Sequence, residues 1–265
     1  MTLVVSDISH LGIIMVGDSA VTYKSNANDL EVSDGAVKIQ YAPKVNVGFA
    51  FWGDASVNNI RIDNWMINFI KYHIKPNDSL ETIGDKLVSQ LNPILTSTNK
   101  PWKDLVRGIH IAGYRNGLPC LFHIHTGHND EPAHELKFYR DFPDDQKWSE
   151  FQFSYFLNFG FIHLGNGYHP LFGPLFDYVL KYSKELRANL NIEFPQKNII
   201  GRLEFYKLLV KFVAGTLIAS GIHPGVNDKL SAVVFNENGL LIDERLNLKK
   251  KNRTIKDHNI SNVYF

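Results

Sequence analysis

The sequence predicts an α+β fold with two stacked antiparallel sheets between helical layers. Three observations predict it. Strand-like segments open the chain, and strands then alternate with pairs of helices in the order strands, helices, strands, helices, strands. Short glycine-containing turns follow His10, Asn116 and Asn238, each between apolar runs, and these mark hairpins.

TLVVSDI and GIIMVGDSAV are rich in β-branched residues and flank Ser9-His10-Leu11-Gly12, so they read as two strands of one hairpin. AVKIQYA predicts a third strand. KVNVGFAFW, which follows Pro43, predicts a fourth and is apolar enough to be buried on both faces. From 56 to 73, Ile60, Trp65, Met66, Phe69 and Ile70 recur near helical spacing. A second helix is expected over 79–95, with Ser79 as N-cap and Glu81 in its first turn. GIHIAGYRNGLPCLFHIHTG then reads as strand, turn, strand. Residues 128–150 are polar and irregular, which predicts an insertion or surface loop. FGFIHLGNGYHPLFGPLFDYVLKYSKEL predicts a strand, a turn and a helix, GRLEFYKLLVKFVAGTLIASG another helix, and LSAVVFNENGLLIDERL a closing hairpin. The tail 249–265, which begins KKKNRTIK, reads as a solvated extension of a single domain spanning 1–265.

Composition excludes several function classes. A formal charge of +1 over 265 residues offers no positive field for nucleic acid. No apolar run approaches the roughly 18 residues of a membrane span. MTLVVSD lacks the basic region of a secretory leader, so a cytoplasmic location is expected. The lone Cys120 lies within an apolar strand and is expected to be buried and inert. His123, His125 and His128 have no carboxylate or cysteine at ligand spacing beside them and read as hydrogen-bonded or solvent-facing side chains, with no metal site.

Chemistry enters through Thr2. A threonine hydroxyl needs a base, and a chain-terminal amine, with an ordinary pKa of about 7.7 to 8.0, can be one. Removal of Met1 would put hydroxyl and amine on the same residue. The hairpin pairs positions whose numbers sum to about 21, which brings Thr2 beside Asp18 and Ser19. A lysine balanced by Asp18 would disfavour protonation of the nearby amine, and Lys38 on the third strand is the candidate.

Thr2, GDSAVT from Gly17 to Thr22, AVKI around Lys38 and VGFAFWGDA from Val47 to Ala55 together resemble the proteasome β-subunit family of N-terminal-nucleophile hydrolases. The Met-Thr opening also resembles the peptidase subunit of the bacterial two-component proteasome-like protease. The central hairpin, LGNGYHP and LSAVVFNENG extend the likeness over nearly the whole chain. The resemblance implies a four-layer αββα sandwich with Thr2 as nucleophile and amine base and Asp18 and Lys38 as its charge pair. It implies that Thr22 contacts the substrate backbone and that the main-chain N–H groups near Trp52 and Gly53 form an oxyanion hole. It also implies a peptide or protein substrate, a homo-oligomer such as a ring, room for an unfoldase partner, and no cofactor.

The sequence departs from the family pattern at three places. Phe51 and Trp52 precede Gly53 where the family has a glycine-rich turn, which would narrow the substrate pocket. Asn166 stands where a serine usually assists the threonine amine. The usual acid and serine before the last strands correspond at best to Asp228 and Ser231, without the glycines. Two other functions are therefore weighed beside peptidase action: a small-amide hydrolase or acyl transferase of the same fold, favoured by the bulk of Phe51 and Trp52, and a non-catalytic structural subunit, favoured by Asn166 and the missing glycines.

Overall fold

A computed structural model describes residues 2–26, 29–33, 35–53, 56–57, 60–96, 107–128, 131–142, 161–167, 169–182, 185, 198–220, 226–245 and 252–256. The chain opens with β1 (Leu3–Ser9) and β2 (Gly12–Asp18), antiparallel with Val4 opposite Gly17 and Asp7 opposite Ile14. Every residue of both strands is buried, because the sheet they form is covered on both faces.

That sheet has the order β12 (Phe161–Gly167), β1, β2, β13 (Leu230–Asn236), β14 (Gly239–Asp243). The second sheet has the order β11 (Glu131–Phe142), β10 (Leu118–His128), β9 (Gly108–Arg115), β6 (Val47–Trp52), β5 (Ile39–Ala42). Both are antiparallel throughout. The β9–β10 hairpin turns at Asn116 and Gly117, both at positive φ (53° and 75°), as the sequence pattern predicts for an Asn-Gly turn.

Strand periodicity sorts the core into three groups. Phe49, Phe51, Ile109, Ile111, Phe122 and Ile124 meet α1 (Ile62–Tyr72) and α2 (Leu80–Thr96) through Met66, Phe69, Ile83 and Leu87. Leu3, Val5, Ile14, Val16 and Val234 meet α3 (His169–Lys181) and α4 (Ile199–Ala219) through Phe172, Phe176, Tyr206 and Val213. The alternate residues Val4, Ile8, Met15, Ala50, Trp52, Ala112 and Leu121 form a group drawn from both sheets. Asp7, wholly buried, ties β1 to α4 by accepting from the Arg202 guanidinium and from the Tyr206 hydroxyl at 2.7 Å.

The structure differs from the sequence reading in four places. The segment 56–61 forms a short ribbon of β7 (Ser56–Val57) and β8 (Ile60–Arg61), so α1 begins at Ile62, with Asp63 in its first turn where a carboxylate suits the helix dipole. The hairpin of β3 (Val21–Asn26) and β4 (Asp29–Ser33) is an addition, hidden by its polar composition. Glu131–Phe142, read as irregular, is a strand along β10, and part of the tail, β15 (Asn252–Lys256), pairs with β4. In both cases backbone pairing supplies the order that the side-chain pattern does not announce. The expected cap of α2 is present, since Ser79 Oγ accepts the Thr82 N–H at 3.1 Å. Among the described residues no helix is long and apolar enough to cross a membrane.

Candidate active site

The β1–β2 register puts Asp18 beside the start of β1. Its Oδ1 accepts the backbone N–H of Leu3 at 2.7 Å and the ammonium of Lys38 at 2.9 Å, while Oδ2 accepts the Ala20 N–H at 2.9 Å. The two charged side chains are 0% (Asp18) and 1% (Lys38) exposed. Burial pushes the Lys38 ammonium below the usual lysine range, and the adjacent Asp18 opposes that push. Lys38 is held from its backbone too, because its carbonyl accepts the Phe51 N–H at 3.1 Å.

Thr2 immediately precedes the Leu3 amide bound by Asp18, and it is buried. Its hydroxyl points to the carbonyl of Gly53 at 3.5 Å. Gly53 has φ of 94°, a conformation that costs glycine little, and this turns the chain at the end of β6. Thr2, Asp18, Lys38 and Gly53 are thereby brought together, with the carbonyl of Gly53 turned to Thr2. Thr22 lies on β3, and its side chain is outside the described residues.

The pocket expectation for Phe51 and Trp52 is corrected. Phe51 is 3% exposed and packs with the α1 and α2 side chains, whereas Trp52 is 9% exposed and packs between the sheets. Strand alternation sends the two rings to opposite faces, so Phe51 and Trp52 do not wall one pocket together.

Asn166 stands opposite Val4, Val4 opposite Gly17, and Gly17 opposite Ser231. Three strand spacings, about 14 Å, thus separate Asn166 from Ser231. The Asn166 amide oxygen is engaged by His110 Nε2 at 2.6 Å, and His110 Nδ1 meets Ser6 Oγ at 2.8 Å. Burial pushes the His110 imidazole down to about 4. Ser231 Oγ is buried and makes no hydrogen bond among the described residues. Asp228 is exposed; its neighbour Asn227 is the buried one, accepting the Ser19 N–H at 3.1 Å and exchanging hydrogen bonds with the Ser19 hydroxyl at 3.2 and 3.1 Å.

Asn227, His110 and Ser6 escape the sequence reading. A signal for the last two is present, since each is a polar residue inside an otherwise apolar strand run. For Asn227, one position from Asp228 in a polar loop, there is none.

No protein-family model matches the chain, and no curated protein matches it. Among solved structures, Anbu (ancestral beta-subunit) from Yersinia bercovieri superposes with a TM-score of 0.50 at 11% identity, over 88% of this chain and 81% of that one. The fold resembles that of Anbu. Two structures from Hyphomicrobium sp. strain MC1, an Anbu (Gly-1) mutant and Anbu itself, give TM-scores of 0.49 and 0.46 at 13% and 12% identity. They span 95% and 94% of this chain, and 88% and 86% of their own. These findings correct the expected membership of the proteasome β-subunit family and its bacterial two-component peptidase subunit: no model of a family matches, and the likeness is to Anbu and concerns the fold alone.

Proposed function

We propose that the chain is an N-terminal-nucleophile hydrolase of peptide or other amide bonds, built on a four-layer αββα sandwich. The observation that carries the proposal is the doubly engaged Asp18 Oδ1, which accepts from Leu3 N at 2.7 Å and from Lys38 Nζ at 2.9 Å. One buried carboxylate oxygen thereby fixes the backbone that presents Thr2 and sets a cation beside it.

Removal of Met1 frees the Thr2 amine. That amine takes the Thr2 hydroxyl proton as Oγ1 attacks the substrate carbonyl, and the Lys38 cation disfavours prior protonation of the amine. The oxyanion meets the main-chain N–H groups at Trp52 and Gly53, where fixed dipoles aimed at developing charge accelerate acyl transfer. Collapse of the intermediate breaks the C–N bond and leaves an ester on Thr2, with the proton passed to the departing amine. A water then attacks the ester carbonyl and gives a proton to the Thr2 amine; the ester C–O bond breaks, the amine returns that proton to Thr2 Oγ1, and the acid is released. Thr22 would bind the substrate backbone.

Assembly with further copies belongs to the same reading. Ile200, Leu208, Phe212 and Ile218 on α4 are 60%, 64%, 53% and 57% exposed, an apolar ridge interrupted by the exposed Glu204 and Lys211, of the kind that protein contacts cover. A non-catalytic subunit of such an assembly is the second reading, favoured by Asn166, whose amide oxygen is engaged by His110 rather than by Thr2.

The test is turnover of a panel of fluorogenic peptide and small-molecule amides by wild type, Thr2→Ser and Thr2→Ala. Hydrolysis by the first two and none by Thr2→Ala supports the proposal. Equal turnover by Thr2→Ala, or none by wild type, overturns it.

A further inference from the structure

Between the sheets runs a polar path that the proposed reaction does not use. His110 on β9 is 0% exposed, and its Nε2 and Nδ1 meet Asn166 Oδ1 and Ser6 Oγ at 2.6 and 2.8 Å. An amide oxygen only accepts, so Nε2 carries the proton, and Nδ1 accepts from the Ser6 hydroxyl. His123 on β10 stands edge-on to His110, with ring centroids 5.0 Å apart and planes at 86°. Its Nε2 accepts the Trp52 indole N–H at 3.1 Å, which puts the His123 proton on Nδ1.

The indole contact spans an intervening strand. Trp52 is on β6 and His123 on β10, and β9 lies between them in the sheet. The ring crosses β9 at Gly108, the residue opposite Trp52. A Cβ there would lie 2.7 Å from Trp52 Nε1 and 2.6 Å from the Ile124 carbonyl oxygen, so only glycine leaves room for the crossing.

Both ends of the path stop at the flanks of Thr2. At one end, Asn166 and Gly167 pair with Val4 and Leu3, the first residues of β1. At the other, Trp52 is followed by Gly53, whose carbonyl faces the Thr2 hydroxyl at 3.5 Å. Buried polar groups need partners simply to be tolerated, and these have them. Mere satisfaction does not call for an indole laid across a strand, nor for a chain of contacts that starts and finishes beside one residue.

The geometry points to His110 and His123 as positioning residues that hold the Trp52–Gly53 corner against the start of β1, keeping the Gly53 N–H in register with the Thr2 hydroxyl. This rests on the proposed hydrolase reading. A donor aimed at a developing oxyanion must be fixed before the reaction, so a loosened corner lowers kcat more than it raises KM. His123→Phe keeps the ring and deletes the acceptor. His123→Gln restores an acceptor near the position of Nε2.

The test combines kinetics with nitrogen-15 spectra of the full chain labelled at histidine and tryptophan. The expected spectra show neutral imidazoles at pH 7, with the proton on Nε2 of His110 and on Nδ1 of His123, and a Trp52 indole signal that His123→Phe displaces and His123→Gln retains. His123→Phe is expected to lower kcat about 10-fold or more with KM changed less than about 3-fold, and His123→Gln to recover most of the loss. Unchanged kcat in His123→Phe, an equal loss in both variants, or the opposite tautomers would overturn the inference while leaving the hydrolase reading standing. A wild type without turnover on any amide would overturn both.

Discussion

Lys38 Nζ lies 2.9 Å from Asp18 Oδ1, and neither side chain reaches solvent. In that setting each charge depends on the other: without Asp18 the Lys38 ammonium would lose its counter-charge in a low-dielectric interior, and without Lys38 the Asp18 carboxylate would keep only its backbone N–H donors. The pair is therefore a structural commitment as well as a candidate catalytic element, and the two roles separate experimentally.

Asp18→Asn is expected to destabilise the fold by about 3 to 5 kcal/mol, because it leaves Lys38 buried without a counter-charge. Lys38→Met alone strands Asp18 in the same way, although the Leu3 and Ala20 N–H groups still bind it. The double variant, which removes both charges, is expected to be more stable than Asp18→Asn by at least about 1 kcal/mol and to remain without hydrolytic activity. Urea unfolding of the three variants, with an activity assay on each, checks both statements.

His110 gives the stability a pH dependence of known sign. Its pKa is about 4 when folded, against an ordinary value of 6.5. Between these values the unfolded chain binds the proton and the folded chain does not. Stability from this group is thus fully present above about pH 6.5, declines as pH falls through that window, and is lost below about pH 4, a change of roughly 3 kcal/mol. Unfolding curves measured from pH 7 down to pH 4 for wild type and His110→Phe should show a steeper decline in wild type.

Gly108→Ala is expected to cost about 1 to 3 kcal/mol, since the new methyl meets the backbone oxygen of Ile124, which cannot move aside as a side-chain tip could. The same methyl displaces the Trp52 indole, so an altered tryptophan emission spectrum should accompany the loss. Gly215→Ala, where a Cβ meets nothing within 4 Å, is the control and is expected to be neutral or slightly stabilising on account of helix propensity.

Much of this was legible in the residues, and the reasons differ from place to place. The placing of Asp18 beside the start of β1 followed from the hairpin alone, because an antiparallel register is fixed once its turn is located, and the observed Val4–Gly17 pair has the expected sum. Lys38 could be chosen because few cations fall on early strands. The second half of the site was less readable. Asp228 and Asn227 differ by one position, which decides between an exposed and a buried side chain, and nothing in a polar loop fixes that phase. Phe51 and Trp52 looked like pocket walls while they were treated as a pair, although a strand sends neighbours to opposite faces. Glu131–Phe142 and the β3–β4 hairpin were missed because polar strands are held by backbone pairing, which the side-chain pattern does not announce. Residues 257–265 of the expected solvated tail and the His128 side chain lie outside the described residues.

The α4 ridge makes a prediction about assembly. Leu208→Glu with Phe212→Glu alters two side chains that are 64% and 53% exposed, so folding should be little affected. If the ridge joins copies, light scattering should show wild type as an oligomer and the double variant as a smaller species.

The most direct test of the central claim is the intact mass of the purified protein, before and after treatment with a peptide epoxyketone, together with N-terminal sequencing. The expected result is a chain that begins at Thr2 and gains a single adduct on that residue, with no adduct on Thr2→Ala. A chain that keeps Met1 and gains no adduct would contradict the nucleophile assignment and leave the non-catalytic subunit as the standing reading.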